Sequence, residues 1–124
     1  METVEASRYP VVADPWLWKS LIRDHDWVSN SQGLTMRVFP TTWGRAGVWV
    51  TVGVATYPMV RRAFWEELKG RSPRVMPHTS SMRDQLYCHI DFVRLRYPRK
   101  ESWNLDTWRP NVSYKTMIAK RCNP

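Results

Sequence analysis

The sequence predicts a small α+β domain: a β-hairpin or antiparallel sheet, two or three helices, and a disulfide-closed C-terminal lobe. Three observations predict it. The chain has 124 residues, enough for one hydrophobic core and little more. Its apolar residues recur at helical spacing in some segments and alternate as in a strand in others. Its two cysteines, Cys88 and Cys122, both lie in the C-terminal third, where a bond to an interior cysteine stops the terminus fraying.

Residues 1–13 read as a polar lead-in and residues 14–124 as one basic, Trp-rich domain. Asp14 to Trp27 reads as a helix: Asp14 is the N-cap, Pro15 suits the first helical position, and Leu17, Leu21 and Ile22 recur at helical spacing. The turn-forming cluster Ser29 to Gly33 ends it. From Leu34 the period becomes two. Leu34, Met36 and Val38 alternate with Thr35, Arg37 and Phe39, and Pro40 closes the strand. A turn through Gly44 and Gly47 leads to a second strand, VWVTVGVAT, and the two strands make a hairpin.

Pro58 opens an amphipathic helix ended by Gly70. Met59, Ala63 and Trp65 or Leu68 face inward, while Arg61, Arg62, Glu66, Glu67 and Lys69 face solvent. After a loop rich in Pro and Ser, Ser80 or Ser81 caps a short helix in MRDQLYCHIDFVRLR, whose core positions are Leu86, Ile90, Val93 and Leu95. YPRKES is a basic turn, SWNLDTWRPNVSY is irregular and aromatic, and KTMIAKRCNP ends as a short helix docked through Met117, Ile118 and Cys122.

Nineteen Lys and Arg against eleven Asp and Glu give a net charge of +8, which attracts nucleic acid, anionic lipid head groups or anionic cell-wall polymers. Between residues 71 and 100 the cations outnumber their only counter-charges, Asp84 and Asp91, so this stretch is either a basic patch or a solvated face. A hydrophobic content of 43% excludes a disordered polar chain. No run of 18 apolar residues is present, so no membrane-spanning helix is expected. No nucleotide-binding, P-loop, HExxH or EF-hand pattern occurs, and no His/Cys spacing suits zinc. No cofactor and no metal are expected.

A disulfide closing a loop of about 35 residues contributes roughly 3–4 kcal/mol in the chain-entropy model. It implies an oxidising compartment, and hence a secreted or cell-surface location. METVEASRYP carries no apolar signal segment. The chain therefore reads as a trimmed mature domain with an added Met, a piece of a longer exported protein, or a protein kept reduced inside the cell.

Two constellations carry candidate chemistry. In the first, His89 and Asp91 lie two apart, on one face of a strand or about 200° apart on a helix. As a hydrolase, the chain would use His89 as acid/base, Asp91 to orient it, and Arg83 or Arg109 to stabilise developing negative charge on a phosphodiester or glycan. The structural alternative is a satisfied histidine beside a disulfide, with Arg83 and Asp84 a local ion pair. In the second, Trp103, Asn104, Asp106, Trp108 and Arg109 combine aromatic faces with amide, carboxylate and guanidinium groups, as surfaces that stack on sugars or bases do. The alternative there is that both tryptophans are core wedges and Arg109 stacks on one of them.

The segments MRDQLYCHIDFVRL, KESWNLDTWRPNVSY and the terminal RCNP resemble a family of small bacterial domains of unknown function, found mainly in exported actinobacterial proteins. The order MRDQ, CH, SWNL, WRP and CNP is the specific part; the likeness spans residues 14–124 and is weaker in GLTMRVFPT. The resemblance implies that Cys88 and Cys122 pair and that the natural precursor is exported. It supplies no activity. The function expected is thus an extracytoplasmic binding or antibacterial effector domain engaging anionic or glycan polymers of a bacterial envelope, or a partner protein. The hydrolase and a nucleic-acid-binding module are the alternatives.

Overall fold

The computed structural model describes residues 20–47 and 57–123. At its centre is an antiparallel sheet of three strands in the order β1 (Ile22–Asn30), β2 (Gly33–Pro40) and β3 (Trp103–Asp106). Helix α1 (Tyr57–Arg71) follows β2 in the chain, and a 3-10 turn (Pro73–His78) leads to α2 (Thr79–Cys88). A π segment (His89–Val93) and α3 (Arg94–Arg96) continue α2, and α4 (Tyr114–Ala119) comes after β3. Cys88 and Cys122 form a disulfide, their Cα atoms 5.3 Å apart. The α+β domain with a disulfide-closed C-terminal end is the one the sequence predicts.

The hairpin turns at Ser31-Gln32, with Asn30 opposite Gly33. Asn30 Oδ1 accepts the Gln32 N–H at 3.0 Å, the local bond that makes Asn a turn residue. Gly33 has φ 144°, and a Cβ there would sit 3.0 Å from Trp108 Cδ1, so both the backbone and the neighbour call for glycine. Residues 22–27, expected as helix, are therefore strand; residues 14–19 lie outside the described residues. Leu21 and Ile22 fit helical spacing locally, but ladder pairing with β2 outweighs so weak a preference.

β2 pairs with β1 through the Asn30–Gly33 hairpin and, over Thr35 to Val38, with β3 on its other edge; the second strand expected from the sequence is VWVTVGVAT. That segment, residues 48–56, lies outside the described residues. Gly44 sits in a π turn, Trp43–Gly47, where a Cβ would come within 2.3 Å of the Leu21 carbonyl oxygen.

On α1 the buried residues are Val60, Phe64 and Leu68, spaced by four, with Trp65 beside them. Met59, expected inward, is 40% exposed, and Gly70 does not stop the helix, which runs on to Arg71. Glu67 has a structural role: its carboxylate accepts the backbone N–H groups of Leu21 and Ile22 at 2.9 and 3.0 Å and so fixes the start of β1. These residues join Met36, Val38, Leu86, Ile90, Trp103 and Leu105 in one core. The segment read as irregular contains β3, whose four residues alternate with Trp103 and Leu105 in and Asn104 out. Leu95, expected in the core, is 66% exposed, because the π segment before it turns the later residues off the α2 stripe. Ile118 is 38% exposed and lies outside this core, and α4 docks through Met117 beside the Cys88–Cys122 bond.

Among the described residues, no helix is long and apolar enough to cross a membrane.

Candidate functional site

Among the described residues, β3 pairs with a strand along one edge, that of β2. At Asp106 its other edge is closed by a side chain. Gln85, fully buried on α2, donates from Nε2 to the Asp106 carbonyl at 2.9 Å and accepts the Asp106 N–H on Oε1 at 2.8 Å. The amide takes the place of a neighbouring strand and leaves neither backbone group unpaired. Asn123, just past the disulfide, donates to the Asn104 carbonyl at 3.4 Å and extends the same closure.

The Asp106 side chain points into a small polar network. Its Oδ1 accepts from Thr35 Oγ1 at 2.5 Å, and its Oδ2 accepts from Arg109 Nε at 2.6 Å. Thr35 in turn accepts from Asn30 Nδ2 at 3.0 Å, which links the carboxylate to the hairpin turn. Thr107 binds the Leu34 carbonyl through both its N–H and its hydroxyl, at 3.0 and 2.9 Å, and this seats Trp108 against Gly33. The Arg109 guanidinium lies 4.1 Å from the Trp108 ring centre. The buried indole N–H of Trp108 meets no acceptor among the described residues.

Together these groups line an open cleft of about 350 Å³ at the turn end of the sheet. Asn30, Ser31 and Gln32 form one side; Asn104, Trp108 and Arg109 form the other. Amides, hydroxyls and an indole surround a carboxylate whose charge is matched by Arg109, so the cleft presents many hydrogen-bonding groups and little net charge.

Four of the five residues expected at a binding surface, Asn104, Asp106, Trp108 and Arg109, thus meet in one place. Trp103 does not. It is 1% exposed, with its ring centre 5.7 Å from that of Phe64, so it is a core wedge and not part of the surface. Gln85, Thr35, Asn123 and the hairpin turn belong to the site and were not legible as such. A single Gln within a helix has no spacing that marks it, and Ser29 to Gly33 announce a turn but not what the turn faces.

The structure does not assemble His89, Asp91 and Arg83. Their segment is helical and not strand, which turns residues two apart to different sides. His89 is 1% exposed and lies 2.7 Å from the Gln85 carbonyl through Nδ1. A carbonyl only accepts, so Nδ1 carries the proton and Nε2 the lone pair. Burial pushes the pKa of His89 down to about 4, which keeps the ring neutral at pH 7. Asp91 accepts from the Tyr114 hydroxyl and faces Arg61 at 3.4 Å. Arg83 pairs with its neighbour Asp84 at 3.5 Å. Among the described residues no three His, Cys, Asp or Glu side chains gather as metal ligands would.

Three of the segments that carry the family resemblance line the cleft: SWNL brings Asn104, WRP brings Trp108 and Arg109, and CNP brings Asn123, while Gln85 of MRDQ holds the Asp106 backbone beside it. A family described as "Protein of unknown function (DUF2599)" matches residues 22–124. Uncharacterized protein Mb0487 of Mycobacterium bovis and Uncharacterized protein Rv0477 of Mycobacterium tuberculosis are each 36% identical to the chain over 102 residues, 82% of its length. The chain spans 64% of the length of these relatives. No solved structure matches.

Proposed function

Because the chain belongs to DUF2599, a family of proteins of unknown function, its role has to be read from its own site, and we propose that it is an extracytoplasmic binding domain for envelope glycans. The observation that carries this is the meeting of Asn104, Asp106, Trp108 and Arg109 with the Asn30-Ser31-Gln32 turn in one polar cleft. A sugar offers an apolar ring face and a rim of hydroxyls that both donate and accept. The indole of Trp108 supplies apolar area, and the amides of Asn30, Gln32 and Asn104 supply both kinds of hydrogen bond.

Charge sharpens the choice among polymers. Asp106 and Arg109 neutralise each other at 2.6 Å, so the cleft selects hydroxyls over phosphates. The net charge of +8 acts over the whole surface, drawing the domain to an anionic envelope without specifying the contact. The Cys88–Cys122 disulfide fits an oxidising, extracytoplasmic setting. The hydrolase alternative has no comparable geometry, with His89 buried and its expected partners engaged elsewhere.

Retention of the purified, oxidised domain on intact cell walls, with salt titrated, tests the proposal. Trp108→Ala and Asn104→Ala are expected to weaken retention about tenfold each, as interface anchors do. Release of soluble wall fragments that stops in His89→Asn would establish the hydrolase instead. Retention that falls steeply with salt and ignores both cleft substitutions would mean that net charge alone, as in nucleic-acid binding, accounts for it.

A further inference from the structure

A second cavity lies on the opposite kind of surface. It holds about 280 Å³ between the π segment, the basic turn after α3, and α4. Its apolar lining comes from Phe92, Val93, Tyr97 and Ile118, over a floor formed by the Cys88–Cys122 disulfide and His89. Phe92 is 45% and Tyr97 56% exposed, so two aromatics that line the same cavity also face solvent. Its charged lining among the described residues is of one sign: Arg96, Lys100 and Arg121, with no carboxylate side chain. A shallower apolar recess of Arg96, Tyr97, Pro98, Arg99 and Lys100 adjoins it and shares three of its residues.

The cations are unspent and held in place. Arg96, Arg99, Lys100 and Arg121 carry no ion pair among the described residues, whereas Arg37, Arg61, Arg71, Arg83 and Arg109 all do. Arg45 clamps the turn that presents Lys100, donating to the Lys100 and Glu101 carbonyls at 2.5 and 2.7 Å. Arg121 and Cys122 both adopt left-handed backbone, φ 57° and 70°, a conformation costly for non-glycine residues, and this places Arg121 on the cavity rim.

An apolar slot ringed by unpaired cations is complementary to an amphiphile with one negative end. We infer that this cavity takes an acyl chain of an anionic phospholipid at a bilayer surface, with Arg96, Lys100 and Arg121 holding the headgroup phosphate. The chain would replace water on Phe92, Tyr97 and Ile118, and the phosphate would supply the charge these three cations lack. This surface is separate from the Asp106 cleft, and the inference does not rest on the glycan reading.

Co-sedimentation of the full, oxidised chain with phosphatidylglycerol vesicles and with phosphatidylcholine vesicles tests it. Binding is expected to the anionic vesicles only, to persist in excess inorganic phosphate, and to fall about tenfold or more in Phe92→Asp and in Arg96→Gln/Arg121→Gln. Both variants change exposed side chains, and circular dichroism checks their fold. Arg62→Gln/Arg74→Gln removes the same charge from elsewhere and is expected to bind as wild type. Equal binding to both lipids, release by inorganic phosphate, indifference to Phe92→Asp, or an equal loss in the Arg62/Arg74 variant would each overturn the inference.

Discussion

Gln85 and Asp106 are joined by two hydrogen bonds, at 2.9 and 2.8 Å, that pair one buried side-chain amide with both backbone groups of one residue on β3. The bond pair ties helix to sheet at the point where the Asp106 carboxylate enters the cleft. It also stops β3 from presenting an open edge there.

Replacing Gln85 therefore disturbs fold and site together. Gln85→Leu leaves a buried N–H and a buried C=O unpaired, and the expected loss is on the order of 3 kcal/mol. Gln85→Glu keeps the acceptor but sets a second oxygen against the Asp106 carbonyl, so it is expected to lose stability as well. Urea unfolding of both variants measures the effect; wild-type stability in either would show that the edge needs no closure.

The two tryptophans of the WNLDTW segment are predicted to separate cleanly. Trp103→Ala empties a fully packed core position and is expected to cost roughly 3–5 kcal/mol. Trp108→Ala removes a half-buried cleft wall, and is expected to leave the domain folded while weakening wall retention. Thermal unfolding beside the retention assay distinguishes the two effects.

His89 makes stability depend on pH. Its native pKa of about 4 lies below the ordinary value of 6.5, so between these values the unfolded chain binds a proton that the native state refuses. Stability is then full above about pH 6.5 and declines on acidification toward pH 4, by roughly 3 kcal/mol in all. His89→Asn offers the Gln85 carbonyl a donor that does not titrate. Denaturant unfolding from pH 7 to pH 4 is expected to show the decline in wild type and a shallower one in the variant; identical slopes would refute the assignment.

Reducing the Cys88–Cys122 bond reopens a loop of sequence separation 34 and is expected to lower stability by roughly 3–4 kcal/mol. Because Asn123 follows Cys122, reduction is also expected to loosen the cleft. Melting temperature and wall retention, each measured with and without reductant, should fall together.

Much of the architecture is legible in the sequence where a local rule decides it. The alternation from Leu34 to Pro40 marks β2, Pro58 marks the start of a helix, and the paired cysteines mark the closed end. What escapes is decided by partners distant in sequence. Residues 22–27 look helical until β2 lies beside them, and β3 is four residues long, too short for a period to declare itself. In the site, Asn104, Asp106, Trp108 and Arg109 stand out by residue type, but the same reasoning includes Trp103, whose burial follows only from strand alternation. His89 and Asp91 draw attention by spacing that would be meaningful on a strand, and their segment is a helix. Gln85 gives no sign at all, since its role exists only once β3 arrives at its amide.

The central claim, that the Asp106 cleft receives a glycan, is tested most directly at the indole N–H of Trp108. In a nitrogen–proton correlation spectrum, titration with soluble wall-glycan fragments is predicted to move the Trp108 indole resonance, identified by its absence in Trp108→Phe, while that of Trp103 stays in place. A Trp108 resonance that does not move at saturating fragment, with the domain folded, would contradict it.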